Sequence, residues 1–134
     1  MGIIFDTCIW VAIASDTLAR DRVIEVGGEV PVFTSAISLG ELSFGVHSCA
    51  DPAERARRAA VLRQIELRPT LDVTAQTASA FGLLCASLKS ADRSPRPRMN
   101  HLWIAAQAIE NGFTLMTLNE KDFADLPGLS VVVP

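Results

Sequence analysis

Residues 100–123 read NHLWIAAQAIENGFTLMTLNEKDF. Leu102, Ala105, Ala106 and Ile109 recur at helical spacing, which predicts a helix with one buried face. Asn111-Gly112 is a helix stop. Thr114–Thr117 predicts a strand, and a polar turn carrying Asn119 and Asp122 follows it. Helix, strand and polar loop in this order form an α/β unit. Asn119 and Asp122 then lie just past the C-terminal end of a strand, the edge at which open α/β sheets bind ligands. His101, in the first turn of the helix, is a polar group at the opposite end of the same unit.

Upstream of this block, Lys89–Met99 predicts a loop containing Pro95 and Pro97. Its basic residues, Lys89, Arg93, Arg96 and Arg98, stand close in sequence to the helix start. Thr74 caps an earlier helix whose core positions read Ala78, Phe81, Cys85 and Leu88, and Leu71–Val73 reads as a short strand or bridge after Pro69. Asp51-Pro52 opens another helix reaching to about Ile65, because Pro suits the first helical position. Its arginines (Arg55, Arg57, Arg58 and Arg63) read as a solvated face, with an RNA or partner surface as the alternative.

Ser35 caps a helix running to about His47, after a brief strand at Pro31–Thr34. Ile37, Glu41 and Phe44 are spaced i, i+4, i+7 and share a face, which puts Glu41 on an apolar side. A glutamate there is costly unless paired or liganded. Gly40 beside it would permit close approach. Further upstream, Asp16–Val26 predicts a helix stopped at Gly27-Gly28, and Cys8–Ala14 a shorter one. Gly2–Phe5 is an apolar run flush against Asp6, as in a buried parallel strand. Asp6 is then either a helix N-cap or a carboxylate at the ligand edge. Downstream of the block come a turn or short helix at Glu120–Leu126 and a last strand at Leu129–Val133. Strands alternate with helices along the chain, which predicts an α/β fold with a parallel sheet and helices on both faces.

Composition narrows the function classes. At 134 residues the chain is long enough for one domain with its own core. Hydrophobic residues make up 49%, which argues against disorder, and no apolar run reaches the ~20 residues of a membrane span. The first ten residues carry no basic region of the signal-peptide kind, so the expected compartment is the cytoplasm. Cys8, Cys49 and Cys85 are odd in number and widely spaced, as suits reduced, mostly buried thiols. The net charge of −3 gives no global basic field, so any nucleic-acid contact falls to a local basic face.

Asp6, Glu41 and Asp122 are far apart in sequence, yet a doubly wound sheet brings such positions to one edge. Gathered carboxylates repel unless a cation neutralises them, and oxygen-rich sites suit Mg²⁺ or Mn²⁺. Three segments make the pattern specific: IIFDTCIWV at the start, TSAISLGELSFGV in the middle, and LWIAAQAIENGFTLMTLNEKDF with the closing LSVVVP. Together they resemble, in order and across the chain, PIN-domain proteins of the VapC type. The resemblance implies a single three-layer α/β/α PIN domain over residues 1–134 with a mainly parallel central sheet. It implies a toxin ribonuclease that cuts RNA with Mg²⁺, or Mn²⁺ in its place. It also implies a cognate VapB-like antitoxin, and homodimers or toxin–antitoxin hetero-oligomers, without a membrane partner.

Carried over by motif, Asp6 and Glu41 match the first two acidic positions and Asp122 the fourth. Thr7, Thr117 and Asn119 match the polar residues that accompany the site. The third position, just before LWIAA, is Asp in the family and His101 here. Asp92 lies too far upstream to replace it, and Glu110 is at the wrong end of the helix. Imidazole is a poor Mg²⁺ ligand and a better one for Mn²⁺, so weaker metal affinity and impaired hydrolysis are expected. Lys89, Arg93, Arg96 and Arg98 are the expected contacts to RNA phosphates. The competing reading is a catalytically inactive PIN fold that retains antitoxin or RNA binding. A small-molecule-binding domain is disfavoured because no Gly-rich phosphate loop follows the first strand. Trp10 and Trp103 read as core, with a partner surface as the alternative.

Overall fold

A computed structural model describes residues 1–134. Five strands, β1 (Ile3–Phe5), β2 (Val32–Ser35), β3 (Thr70–Leu71), β4 (Thr114–Met116) and β5 (Val131–Val132), form one sheet in the order β3-β2-β1-β4-β5. Every pairing is parallel. The helices are α1 (Thr7–Ala14), α2 (Arg20–Gly27), α3 (Ala36–His47), α4 (Pro52–Glu66), α5 (Ala75–Ser90) and α6 (Met99–Asn111). Parallel neighbours need crossovers that return the chain to the same end; these helices supply them up to β4, and a loop with a 3₁₀ turn at Glu120–Asp122 leads from β4 to β5. The expected α/β architecture is the one adopted.

The two faces of the sheet carry separate cores, because successive side chains of a strand point opposite ways. Ile4 and Leu115 pack with Leu84 and Leu88 of α5 and with Leu102 and Ile104 of α6. Ile3, Phe5 and Met116 pack instead with Ile9 and Trp10 of α1, Val23 of α2 and Ile65 of α4. Burial on both faces is why β1 reads as an unbroken apolar run. From β1 the order runs outward to β2 and β3; the chain then crosses back to β4 and β5 on the other side of β1. That reversal leaves Phe5 paired with Met116, and Asp6 and Thr117 are the next residue on each strand. The two residues therefore stand at the topological switch point.

Helix ends follow the local signals. Ser35 Oγ accepts the Ile37 N–H at 3.0 Å, and Thr74 and Thr77 form a reciprocal capping box. Gly112, with φ of +66°, closes α6 in the left-handed region that glycine adopts without strain.

Other expectations are corrected. α2 begins at Arg20, not Asp16. Asp16 has φ of +56°, and the Thr17 and Leu18 N–H groups bond back to the Ala12 carbonyl, so these residues close α1. Lys89–Met99 is only partly loop: α5 continues to Ser90, and a 3₁₀ turn at Arg96–Arg98 leads into α6. The buried line of α5 is Thr77, Leu84 and Leu88; Ala78 is exposed, and Phe81 and Cys85 are half-buried. The short strand is Thr70–Leu71, and the last is Val131–Val132 alone. Phe44 is 74% exposed, so the face holding Ile37 and Glu41 is not apolar along its length. Gly40 faces open space, with nothing near the place of a Cβ, so no close approach explains it.

The α4 arginines are mostly engaged with their surroundings. Arg55 donates to the Val46 and His47 carbonyls and Arg58 to that of Gly45, satisfying the open end of α3. Hydrogen bonds from Arg57 and Arg58 hold the Glu54 carboxyl down at about 2. Arg63 remains exposed.

Candidate functional site

Asp6 is 2% exposed; it is the N-cap of α1 and stands just past the C-terminal end of β1. Its Oδ1 accepts the Thr7 N–H at 2.8 Å, capping α1. Its Oδ2 accepts the Thr117 hydroxyl at 2.8 Å across the switch point. Thr117 Oγ1 in turn accepts the Asn119 N–H at 3.0 Å, which fixes the start of the loop after β4. Asn119 thus contributes through its backbone.

Thr7 Oγ1 lies 2.8 Å from Glu41 Oε1 and 2.8 Å from Ser38 Oγ. A hydroxyl has one proton, and the carboxylate offers only lone pairs. Thr7 therefore donates to Glu41, and the Ser38 hydroxyl donates to Thr7. This relay joins Asp6 to Glu41 although α1 and α3 are separate elements. Thr7→Val keeps the shape and removes the donor. It is expected to cost about 1–2 kcal/mol of stability in urea unfolding, since Glu41 and Ser38 both lose a partner. A loss below a few tenths would mean that the relay does not hold the two helices.

The other two acidic-motif positions meet separately. His101 Nδ1 lies 3.6 Å from Asp122 Oδ2, and its ring sits 5.1 Å from that of Phe123, tilted by 53°. Both side chains reach solvent, at 30% and 45% exposure. Glu41 and His101 share the wall of a polar pocket of about 320 Å³ with Arg96, Arg98 and Asn100. The site is thus two pairs: Asp6 and Glu41 linked through Thr7, and His101 beside Asp122, with the pocket bordering one member of each. No three His, Cys, Asp or Glu side chains converge into a ready-made metal cage. The donor chemistry nevertheless fits a divalent ion. Oε1 of Glu41 takes the Thr7 bond, Oε2 takes none, and the Asp122 carboxylate meets only the imidazole. Three carboxylates with one imidazole suit Mn²⁺ better than Mg²⁺.

The expected row of RNA-facing cations divides. Arg98 is 16% exposed and donates to both Asp125 oxygens, at 2.8 and 2.9 Å, and to the Asp122 carbonyl. It is a structural cation, because both terminal nitrogens of its guanidinium are engaged inside the fold. Arg93 also reaches Asp125, at 2.7 Å, from a 60% exposed position. Arg96 lines the pocket without an ion pair, and Lys89 is exposed in the last turn of α5.

Hydrogen bonds from Arg98 hold the Asp125 carboxyl below its ordinary value of 3.8. A carboxyl depressed in the folded state adds stability above its unfolded value, and that stability is lost as pH falls through the folded one. Stability should therefore begin to fall below pH 3.8, and Asp125→Asn should flatten that part of the acid limb in unfolding curves. An unchanged limb would assign acid sensitivity elsewhere.

Sequence reasoning missed Ser38, Cys8 and Asp125. Ser38 lies three residues before Glu41, one helical turn, and that spacing was a readable signal. Cys8 Sγ lies 3.4 Å from Asp6 Oδ2 and accepts the Leu118 N–H at 3.4 Å. Burial pushes the Cys8 thiol up, with the Leu118 N–H opposing and the Asp6 charge adding to the rise. All three cysteines are free and half-buried. Trp10 is 7% exposed and packs at 4.9 Å on Phe5, while Trp103 stacks at 3.8 Å on Phe81. A cavity of about 780 Å³, walled by Trp10, Val23, Ile65 and Leu67, contains none of the site residues.

Residues 3–129 match the model of the family described as PIN domain. Ribonuclease VapC4 of Mycobacterium tuberculosis is 30% identical over 127 residues, covering 95% of this chain and 92% of that protein. The structure of VapBC-5, a member of the VapBC family of toxin-antitoxin systems from the same organism, is similar at a TM-score of 0.75 and 31% identity, over 98% of this chain and 96% of that one. VapBC2 from Rickettsia felis, solved with a DNA fragment from its promoter, shares the fold at a TM-score of 0.82 and 24% identity, over 99% and 98% of the two chains.

Proposed function

The chain belongs to the PIN-domain family and is homologous to the VapC ribonuclease toxins, and from this premise we propose that it is the toxin of a toxin–antitoxin pair, a divalent-metal-dependent endoribonuclease. The observation that carries the reading is that the Asp6–Thr7–Glu41 relay and the His101–Asp122 pair each put one member, Glu41 and His101, on the wall of one polar pocket. Residues 1–134 would act as a single PIN domain in the cytoplasm. A VapB-like antitoxin would neutralise it, in a toxin–antitoxin oligomer or against a toxin homodimer. The structural neighbours solved as VapBC pairs support that partner.

Asp6, Glu41, His101 and Asp122 would hold the ion, which when bound would neutralise charge on the scissile phosphate and make an attacking water more acidic. The rest of the work falls to the chain. Thr7 and Thr117 hold both oxygens of the buried Asp6, so this carboxylate needs no reorganisation. Thr7 orients Glu41 toward the pocket by one oxygen and leaves the other free. Asp122, the most exposed member, supports from the loop after β4. Arg96 and Lys89 bind phosphates flanking the cleaved bond, with an affinity that falls as salt rises.

His101 favours a second reading, in which the chain is a catalytically impaired PIN fold that keeps antitoxin and RNA binding. The test is RNA cleavage by this chain beside its His101→Asp variant, each with Mg²⁺, Mn²⁺ or EDTA. Cation-dependent cutting by the His form supports an active toxin. Cutting by the Asp form alone supports the impaired one.

A further inference from the structure

We propose that Arg98 is a positioning residue that holds Asp122 against His101, so that two loops from different elements make one wall of the site. The inference rests on the reading of Asp122 and His101 as site residues. Arg98 is the N-cap residue of α6, three positions before His101. Asp122 ends the 3₁₀ turn after β4, 24 residues further on. The Arg98 guanidinium joins these segments through the Asp122 carbonyl and both oxygens of Asp125.

Asp122 has little else to fix it. Its own N–H bonds within the turn, to the Asn119 carbonyl, and its carboxylate is 45% exposed with one long approach to His101. Phe123, 1% exposed, anchors the next residue in the core. Among side chains from other elements, Arg98 alone grips the backbone of Asp122. The planar fork matters, because a guanidinium can hold a carboxylate by two bonds and still reach a further acceptor. A lysine ammonium is a point charge on a flexible stem and cannot span the same set. The cost is visible: Arg98 Nε is buried without a partner. Arg93 on the same carboxylate makes no bond to Asp122 and cannot replace the clamp.

The experiment compares the full chain with Arg98→Lys, Asp125→Asn and Asp122→Asn, with Arg22→Ala as a control that breaks an exposed ion pair on α2. Amide hydrogen exchange and the NMR contact between the His101 ring and Asp122 are read without metal, and Mn²⁺ binding by titration. Arg98→Lys should speed exchange at Asp122 and Phe123 about tenfold, leave Leu102–Ala108 unchanged, and lose the His101 contact. It should also weaken Mn²⁺ binding about tenfold, the usual loss when a group that orients a ligand is removed. Arg22→Ala should change neither.

Unchanged exchange and an intact His101 contact in Arg98→Lys would overturn the clamp. So would unchanged Mn²⁺ affinity in Arg98→Lys when Asp122→Asn weakens it. If Asp122→Asn binds Mn²⁺ as the parent does, Asp122 is not a ligand and that part of the functional reading fails; exchange and the His101 contact then decide the clamp alone. Should Arg98→Lys not fold, Asp125→Asn removes the charged partner at constant volume and carries the same measurements.

Discussion

Replacing His101 with aspartate is expected to raise RNA cleavage in Mg²⁺ by about 10²–10³-fold, with EDTA abolishing it. The factor corresponds to about 3–4 kcal/mol of transition-state stabilisation, within the several kcal/mol that a bound cation supplies. The geometry gives the reason. His101 Nδ1 sits 3.6 Å from Asp122 Oδ2 and lines the same pocket as Glu41. An aspartate there adds a negative charge and two hard oxygens at the proposed third ligand position. The same change has a signature independent of RNA. Without a cation, a new carboxylate beside Asp122 should destabilise the fold by about 1 kcal/mol at this half-exposed position. With Mg²⁺ at a hundred times its dissociation constant, the Asp form should gain about 2.7 kcal/mol by linkage, and the His form less. Equal cleavage by both forms would show that position 101 is not an essential ligand. If neither form cuts the RNAs tried, the cation dependence of their melting temperatures decides whether the site holds metal.

Gln107→Leu should be the most damaging polar-to-apolar change in the fold, at about 2–4 kcal/mol in urea unfolding. Gln107 is fully buried on α6. Its Oε1 accepts the Ser35 hydroxyl, and its Nε2 donates to the Leu71 carbonyl at 2.9 Å and the Asp72 carbonyl at 3.3 Å. One side chain thus ties α6 to the C-terminal ends of β2 and β3. Leucine fills a similar volume and takes away the acceptor of the Ser35 hydroxyl proton and the side-chain donor to the Leu71 carbonyl, each costing about 1–3 kcal/mol when buried. Because Ser35 also caps α3, which carries Glu41, the variant should disturb the site as well as the fold. A loss under 0.5 kcal/mol, on the scale of a typical surface change, would mean that water or a shifted backbone satisfies these groups.

Gln107 also marks where sequence reading stopped. α6 reads as amphipathic, with Leu102, Ala105, Ala106 and Ile109 inward. In the fold the run from Ile104 to Ala108 is buried on every side, because α6 lies between the sheet and α5. The expected burial of Phe44 failed in the opposite direction, since nothing in the fold covers its face of α3. Periodicity reports which positions can share a face, and the neighbouring elements decide which faces are covered.

What the sequence determined by itself is what neighbours along the chain decide. The apolar run of β1, the caps at Ser35 and Thr74, the stop at Gly112 and the alternation that demands a parallel sheet all depend on residues a few positions apart. The acidic positions were legible for the same reason, as polar residues just past a strand end or in a helix turn. The tertiary structure alone decided how they are held. Thr117 meets Asp6 across 111 residues, Gln107 meets Ser35 across 72, Thr7 meets Glu41 across 34, and Arg98 meets Asp125 across 27. It also decided that Arg98 is tied to Asp125 while Arg96 has no ion pair, though both border the pocket and only one proline separates them. A hydrogen bond acts over about 3 Å and within a narrow cone. Its partners are therefore chosen by the packing of whole elements, which no local pattern encodes.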